Sequence, residues 1–507
     1  MNILITLAGK SLRFISEGYK KDKFLLEVGN NKIILDKVVE MFNSDDTFHF
    51  IISKKQSKIA GLKKRISKVS KKHTIHVVDN HDKGPVYSVL NLKNINEKEP
   101  IIICYCDFFV NWDYKRFLRN LYNLDGSIPV FKGFHPSSFT GTLYAYVKSK
   151  KNKFIAIREK KSFTKNPSSE FASCGIYYFK TYKLFKTFGS KLLNKNSGES
   201  YVSLIYNLMS KSKLNINIFE VKNFICLGTP FDYKGYLFWK DYFNNHTNFK
   251  TSKTFSGANL IPMSGEGKRF KKYGYRVTKP LIEVNKKPMI LNVCETFPKS
   301  NNWNFVINNK DDKNNRINKL IKKIDINANI IEVNKTTKGP AESCYLSKKK
   351  INGNEPLFIS SCDYLTIFNE NNWEKIIKNK KIDGAIWTFK LENLIVKSYD
   401  AFGYCKINKE KLVSQIVEKR TISNNPKFDN MIIGSFWFRK ARSFFDSVEE
   451  SRKENFTINN EFYVGNNINL LLRKNLKFVI FEVDQWISLG DPFELKVFEY
   501  WKNLFKK

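Results

Sequence analysis

Residues Leu4 to Val28, LITLAGKSLRFISEGYKKDKFLLEV, align without a gap on Leu260 to Val284, LIPMSGEGKRFKKYGYRVTKPLIEV. The identical pairs include Leu4/Leu260, Ile5/Ile261, Gly9/Gly265, Arg13/Arg269, Phe14/Phe270, Gly18/Gly274, Lys23/Lys279, Glu27/Glu283 and Val28/Val284. Chance does not produce such a match. The shift from position 4 to position 260 is 256 residues, about half of the 507-residue chain. A chain of this length exceeds a single core, and the repeat predicts two large tandem units.

Within each copy an apolar run leads into a turn: Gly265-Glu266-Gly267 in the second, Gly9-Lys10-Ser11 in the first. Basic residues follow, Lys268 and Arg269, and then Lys279-Pro280. Glycine lets a backbone come close to a ligand, and N–H groups at such a turn point at anions. The stretch therefore reads as a phosphate-holding segment.

The repeat predicts domains at 1–245 and 259–507. Residues 246–258, polar and without periodicity, are expected as the linker. In the first half, the apolar runs Ile3–Ala8, Phe48–Ser53, Ile75–Val78 and Ile101–Tyr105 read as strands. Helical patterns over 33–42 and 54–70 alternate with them, as does a helix opened by Gly84-Pro85. This predicts an α/β fold: two Rossmann-like domains, each a mixed, mostly parallel sheet flanked by helices. Ligands of such sheets bind beyond the carboxyl ends of the strands, where Gly9 and Asp107 fall. Short strands follow from Ile128 onward. The second half repeats the landmarks in order: Gly84/Gly339, Asp107/Asp363, Glu159-Lys160/Glu418-Lys419, Glu199/Glu461, and Gly228-Thr229-Pro230/Gly490-Asp491-Pro492.

The net charge of +39 raises the question of a polyanionic partner. The lysines are dispersed, and asparagine, isoleucine and phenylalanine are abundant with them. We read the charge as compositional and expect no specific nucleic-acid partner. Eight cysteines without a CxxC pair suit buried thiols in a reducing compartment. No leader or membrane span is expected, and the expected location is cytoplasmic. His76, His81 and His135 have no ligand spacing.

The landmarks G-x-G-x-R-[FL], K-P, a strand-end Asp, E-K and G-T-P resemble the sugar-nucleotide pyrophosphorylases, over nearly all of both halves. The likeness is nearest the subgroup found with capsule and surface-polysaccharide genes. The resemblance implies transfer of a nucleotidyl group from a nucleoside triphosphate to a sugar 1-phosphate with release of pyrophosphate. It implies Mg²⁺ as cofactor, and a homo-oligomer is compatible with it. Gly265, Glu266, Gly267 and Gly339 would hold the nucleotide. Arg269 would grip the leaving pyrophosphate, Lys279 would neutralise phosphate charge, and Asp363 would bind the metal. Gly403, Glu418, Lys419 and Glu461 would form the acceptor site. Plainer readings stand beside these: a surface helix residue for Arg269, a strand-end cap for Asp363, an exposed pair for Glu418-Lys419, a β-bulge at Gly403 and a helix cap for Glu461. The counterparts Gly9, Arg13, Lys23, Gly84, Asp107, Glu159 and Lys160 would make a second site in the first half.

This chain departs from the family pattern. Where many relatives carry a second metal-binding Asp, Cys226 and Ser488 stand here. In the first half Ser11 replaces Gly267, Phe24 replaces Pro280 and Leu143 replaces Gly403. We expect the second half to be the principal catalyst. The alternatives are cytidylyl transfer to a non-sugar phosphate and a non-catalytic regulatory protein that binds nucleotide or sugar phosphate.

Overall fold

The computed structural model describes all residues except 138–140, 196–197, 312–315, 395, 397, 506 and 507. The chain divides into two units, Met1–Leu237 and Phe238–Lys507.

In the first unit the strand Asn2–Thr6 lies between Thr47–Ser53 and Ile101–Tyr105, parallel to both. Ile3, Leu4, Ile5 and Ile101 to Cys104 are fully buried. An unbroken apolar run fits a strand covered on both faces, where alternation would bury polar groups. His73–Val78 continues the parallel edge. On the other side Ile176–Phe179 joins antiparallel, followed by Gly126–Phe131 and Ile216–Glu220. The sheet ends in the antiparallel strands Lys153–Glu159, Ala145–Lys150 and Phe171–Ser173. The expected single helix over 54–70 is two short ones, Lys54–Ser57 and Leu62–Ser67, separated at Gly61, whose φ is 74°.

The second unit orders its strands the same way: Asn329–Val333, Asn302–Asn308, Ala258–Pro262, Leu357–Ser360, Asn430–Phe438, Gly384–Phe389 and Phe478–Glu482. The hairpin Gly403–Ile407 and Val413–Glu418 extends it through Asn430–Phe438. Sheets flanked by helices make both units mixed α/β folds. Under the second sheet Trp387 packs against Phe358, Phe368, Trp373 and Phe481 with ring centres 4.6 to 5.1 Å apart. Such aromatic burial holds the sheet that carries the cleft.

Each unit also has a two-stranded ribbon outside its main sheet. Phe108–Asn111 pairs with Asn223–Cys226, and Tyr364–Ile367 with Gln485–Ser488. These ribbons bring the G-T-P-like turn onto the strand-end aspartate. The Leu489 amide donates to the Asp363 carbonyl at 2.8 Å, and Leu227 does so to Asp107 at 2.7 Å. Within 246–258, the stretch expected as a linker, Thr251 is buried and its hydroxyl donates to the Phe297 carbonyl at 2.5 Å.

No described helix is long and apolar enough to cross a membrane.

Candidate active site

The turn after Ala258–Pro262 opens the site. Gly267 sits at φ 60° ahead of the short helix Lys268–Lys272, a left-handed conformation that most side chains resist. Ser11 adopts the equivalent conformation at φ 51°. Its hydroxyl donates to Asp22 at 3.2 Å and accepts the Lys23 amide at 3.3 Å, so this side chain ties the turn together. A Cβ on Gly265 would meet nothing within 4 Å, which leaves that backbone open to a ligand. Glu266 accepts from Thr336 at 2.9 Å and pairs with Lys268 at 3.2 Å.

Gly339 has a different reason for lacking a side chain. At φ 117°, its Cβ would lie 2.7 Å from the Phe462 amide nitrogen and carbonyl oxygen. Gly84 is packed alike against Ser200. These glycines seat the helices Pro340–Tyr345 and Pro85–Leu90 against the segment after them.

Behind the turn, Lys279 Nζ donates to Asp363 Oδ2, and Ser361 donates to Asp363 Oδ1. Burial would raise the Asp363 carboxyl. The Lys279 ammonium, these hydrogen bonds and the Arg269 charge outweigh it and hold the group below its ordinary value. Burial opposes the charge on Lys279, and Asp363 more than restores it, so its pKa is raised. Arg269 is exposed at the rim, and its field reaches Asp363, Lys279 and Glu494.

Sequence reasoning missed Glu494. Ser488, where a second aspartate was sought, donates to Glu494 Oε2 at 2.6 Å, and the Asp491 amide donates to the same oxygen at 3.0 Å. A Cβ on Gly490 would meet Asp363 Oδ2 at 2.7 Å and Glu494 Oε2 at 3.5 Å, so both carboxylates crowd one glycine. Burial raises the Glu494 pKa, and Asp491 and Asp363 add to it. The available signal was a capping pattern: Asp491 three residues before Glu494, at the start of the helix Pro492–Phe505. In the first unit Asp232 takes that place, accepting from Thr229 at 2.6 Å and from Ser137.

At the other end, Gly403 pairs with Glu418 across the hairpin. A Cβ at Gly403 would meet Glu418 Oε2 at 2.5 Å, so a close approach and not a bulge explains this glycine. The register corrects the expected counterpart of Gly403 in the first unit: Ala145, not Leu143, lies opposite Glu159. Leu143 is 41% exposed. Glu418 is largely buried, and among the described residues no hydrogen bond reaches its carboxylate. Burial pushes its pKa up to about 7, against the pull of Lys419.

Lys419 and Lys160 both hold left-handed backbone, at φ 56° and 53°. This is uncommon for residues other than glycine. Their amides donate at 2.9 Å to Phe402 and Tyr144, which anchors the conformation. Lys419 Nζ lies 5.5 Å from the Tyr463 ring centre, and Tyr463 donates to Glu461 at 2.6 Å. Glu461 caps no helix: the residue that starts Val464–Arg473 is Tyr463, with no side-chain cap.

Gly265, Glu266, Gly267, Arg269, Lys279, Gly339, Asp363, Gly403, Glu418, Lys419 and Glu461 all line one cleft of about 850 Å³, together with Ser488 and Glu494. In the first unit Lys23 bonds Asp107 at 2.6 Å, and Lys160 bonds Tyr201 at 3.1 Å. No group of three or more metal-ligating side chains occurs among the described residues.

The cleft thus holds a glycine turn, a Lys–Asp pair and a Glu–Lys pair. Residues 258–492 match the nucleotidyl transferase family. The second unit thus carries a nucleotidyltransferase domain. Among solved structures the chain is similar to a nucleoside-diphosphate-sugar pyrophosphorylase from Vibrio cholerae, at 22% identity over 47% of this chain and 99% of that one, with a TM-score of 0.39. It is similar to an inositol-1-phosphate CTP transferase from T. maritima, at 15% identity over 50% and 98%, with a TM-score of 0.39. A glucose-1-phosphate thymidylyltransferase described as putative, from Bacillus anthracis, matches at 15% identity over 49% and 96%, with a TM-score of 0.38. No curated protein matches the chain.

Proposed function

We propose that the second unit joins a nucleoside triphosphate to a sugar 1-phosphate, giving a nucleotide-sugar and pyrophosphate for capsule or other surface polysaccharide. The observation that carries this reading is one cleft with two chemically different ends. Lys279, Asp363 and Arg269 gather charge for phosphates, and Glu418 offers a carboxylate that accepts no hydrogen bond among the described residues. An oxygen of the sugar phosphate attacks the α-phosphorus, the bond to the β-phosphate oxygen breaks, and pyrophosphate leaves. Such a transfer needs alignment and charge neutralisation more than covalent help.

The roles follow from position. Open backbone at Gly265 and Gly267 takes the triphosphate, and Arg269 at the rim meets the leaving pyrophosphate with its planar fork. Lys279 supplies a fixed positive charge beneath it. Glu418 accepts acceptor hydroxyls, and Lys419 attracts the acceptor phosphate.

The donor set fits a divalent cation. Asp363 and Glu494 both bring a carboxylate oxygen within 3.5 Å of where a Cβ on Gly490 would stand, and such oxygens are the hard ligands that Mg²⁺ prefers. These two residues would hold it, and the bound ion would neutralise phosphate charge. The shared strand order and the two Lys–Asp pairs support descent of both units from one duplicated domain. Eight free cysteines, seven of them buried, support a reducing compartment.

The test is a pyrophosphate-release screen of several triphosphates against a panel of sugar phosphates, with Asp363→Ala as control. Release by the wild type and not by the control is expected. Silence across every pair overturns the reading in favour of a binding protein.

A further inference from the structure

Glu159 and Glu418 lie opposite Ala145 and Gly403 in equivalent hairpins. The helix behind each hairpin is anchored identically. Asn207 bonds both the amide and the carbonyl of Ile157, and Asn469 both of those of Ile416, at 2.9 to 3.0 Å. From that shared anchor, four residues back along each segment leads to Ser203 in one unit and Gly465 in the other. The two positions treat the carboxylate differently. The Ser203 hydroxyl donates to Glu159 Oε1. At Gly465 a Cβ would lie 2.3 Å from Glu418 Oε1, and Glu418 receives no hydrogen bond among the described residues.

We propose that this position decides which unit takes the phosphorylated acceptor. In the first unit the Ser203 hydroxyl occupies Glu159 as a hydroxyl of a bound polyol would. In the second, Gly465 and Gly403 flank Glu418 with bare backbone and leave its oxygens to the substrate. The acceptor class is a polyhydroxylated phosphate able to set a hydroxyl on one carboxylate. The first unit keeps its Lys23–Asp107 pair but has its acceptor carboxylate already satisfied. This inference rests on the nucleotidyl-transfer reading of the cleft.

The full chain is compared with Gly465→Ser and Gly465→Ala, using the triphosphate and sugar 1-phosphate pair found in the release screen. Gly465→Ser is expected to raise KM for the sugar phosphate by about tenfold, the loss of one good hydrogen bond. Gly465→Ala should raise it less, and KM for the triphosphate should stay unchanged in both. Equilibrium dialysis of the same labelled sugar phosphate should find one site per wild-type chain. If Gly465→Ser does not fold, Ser203→Gly takes its place, with stoichiometry expected to rise to two. Unchanged KM, equal effects of serine and alanine, two sites in the wild type, or one site in Ser203→Gly each overturn this inference alone. No turnover by the wild type overturns the function itself, and this inference with it.

Discussion

Lys279 donates to Asp363 across 84 residues of sequence, and Lys23 donates to Asp107 across the same separation. Each pair joins the segment after the first strand of its sheet to the residue just beyond the neighbouring parallel strand, so pairing of those two strands brings the charges together. A lysine largely out of water keeps its charge only beside a partner, and here the partner is Asp363 in the second unit and Asp107 in the first.

Removing that carboxylate tests the second unit as the principal catalyst. Asp363→Asn should lower kcat for pyrophosphate release by about a thousand-fold, the scale of losing one preorganised electrostatic contact. Asp107→Asn in the first unit should change it by less than about twofold. Comparable losses in both variants would contradict the assignment.

Glu418 predicts a pH dependence. Its folded pKa, pushed up to about 7, lies above its ordinary value of 4.5. The folded state therefore holds a proton that the unfolded chain releases, and stability is lost as pH rises from the ordinary value through about 7. Glu418→Gln should remove this dependence and leave the unit more stable than wild type at pH 8 by about 3 kcal/mol, with little difference near pH 4. Because the ionised form accepts hydroxyls best, kcat/KM for the acceptor should rise through about pH 7, and thermal melts with rate profiles check both limbs.

Glu494→Gln tests the second carboxylate. Mn²⁺ binding to the full chain, followed by the loss of the free-ion EPR signal, should weaken by about tenfold. The Ser488 and Asp491 hydrogen bonds can still reach the amide oxygen, so the melting temperature should hold. Unaltered Mn²⁺ affinity would leave Asp363 as the metal's protein ligand without Glu494.

Asn469→Ala probes the anchor of the acceptor hairpin. It removes two bonds to the Ile416 backbone. The expected cost is about 2 kcal/mol, a fall of roughly 5 °C in the melting temperature of the second unit. A fall as large from Asn469→Asp would show that the amide donor is the essential half.

The repeat made most of the candidate site legible in the sequence. Gly265, Arg269, Lys279, Asp363, Glu418 and Lys419 line one cleft although their strands are not in chain order across the sheet, because ligand clefts of such sheets lie beyond strand ends. Glu494 escaped because its sequence signal was that of a helix cap, and nothing in a cap says that Ser488 will lean on it or that Gly490 will bring it to Asp363. The Gly403 counterpart was misplaced by two residues because hairpin register depends on pairing partners, which the order of landmarks along the chain does not show.

Local chemistry and periodicity along the chain were enough for the α/β class and for the tight turn at Gly267, since apolar runs, glycines and their spacing act within short stretches. Which carboxylates stand free and which are already satisfied was settled by packing between segments far apart in sequence. Glu159 and Glu418 occupy identical landmarks, yet one meets a serine hydroxyl and the other a glycine. Burial and the neighbouring residue, neither visible in an E-K motif, decide whether such a group is structural or open to substrate. The turn that carries Arg269 acquired its meaning in the same way, from Lys279 and Asp363 closing beneath it.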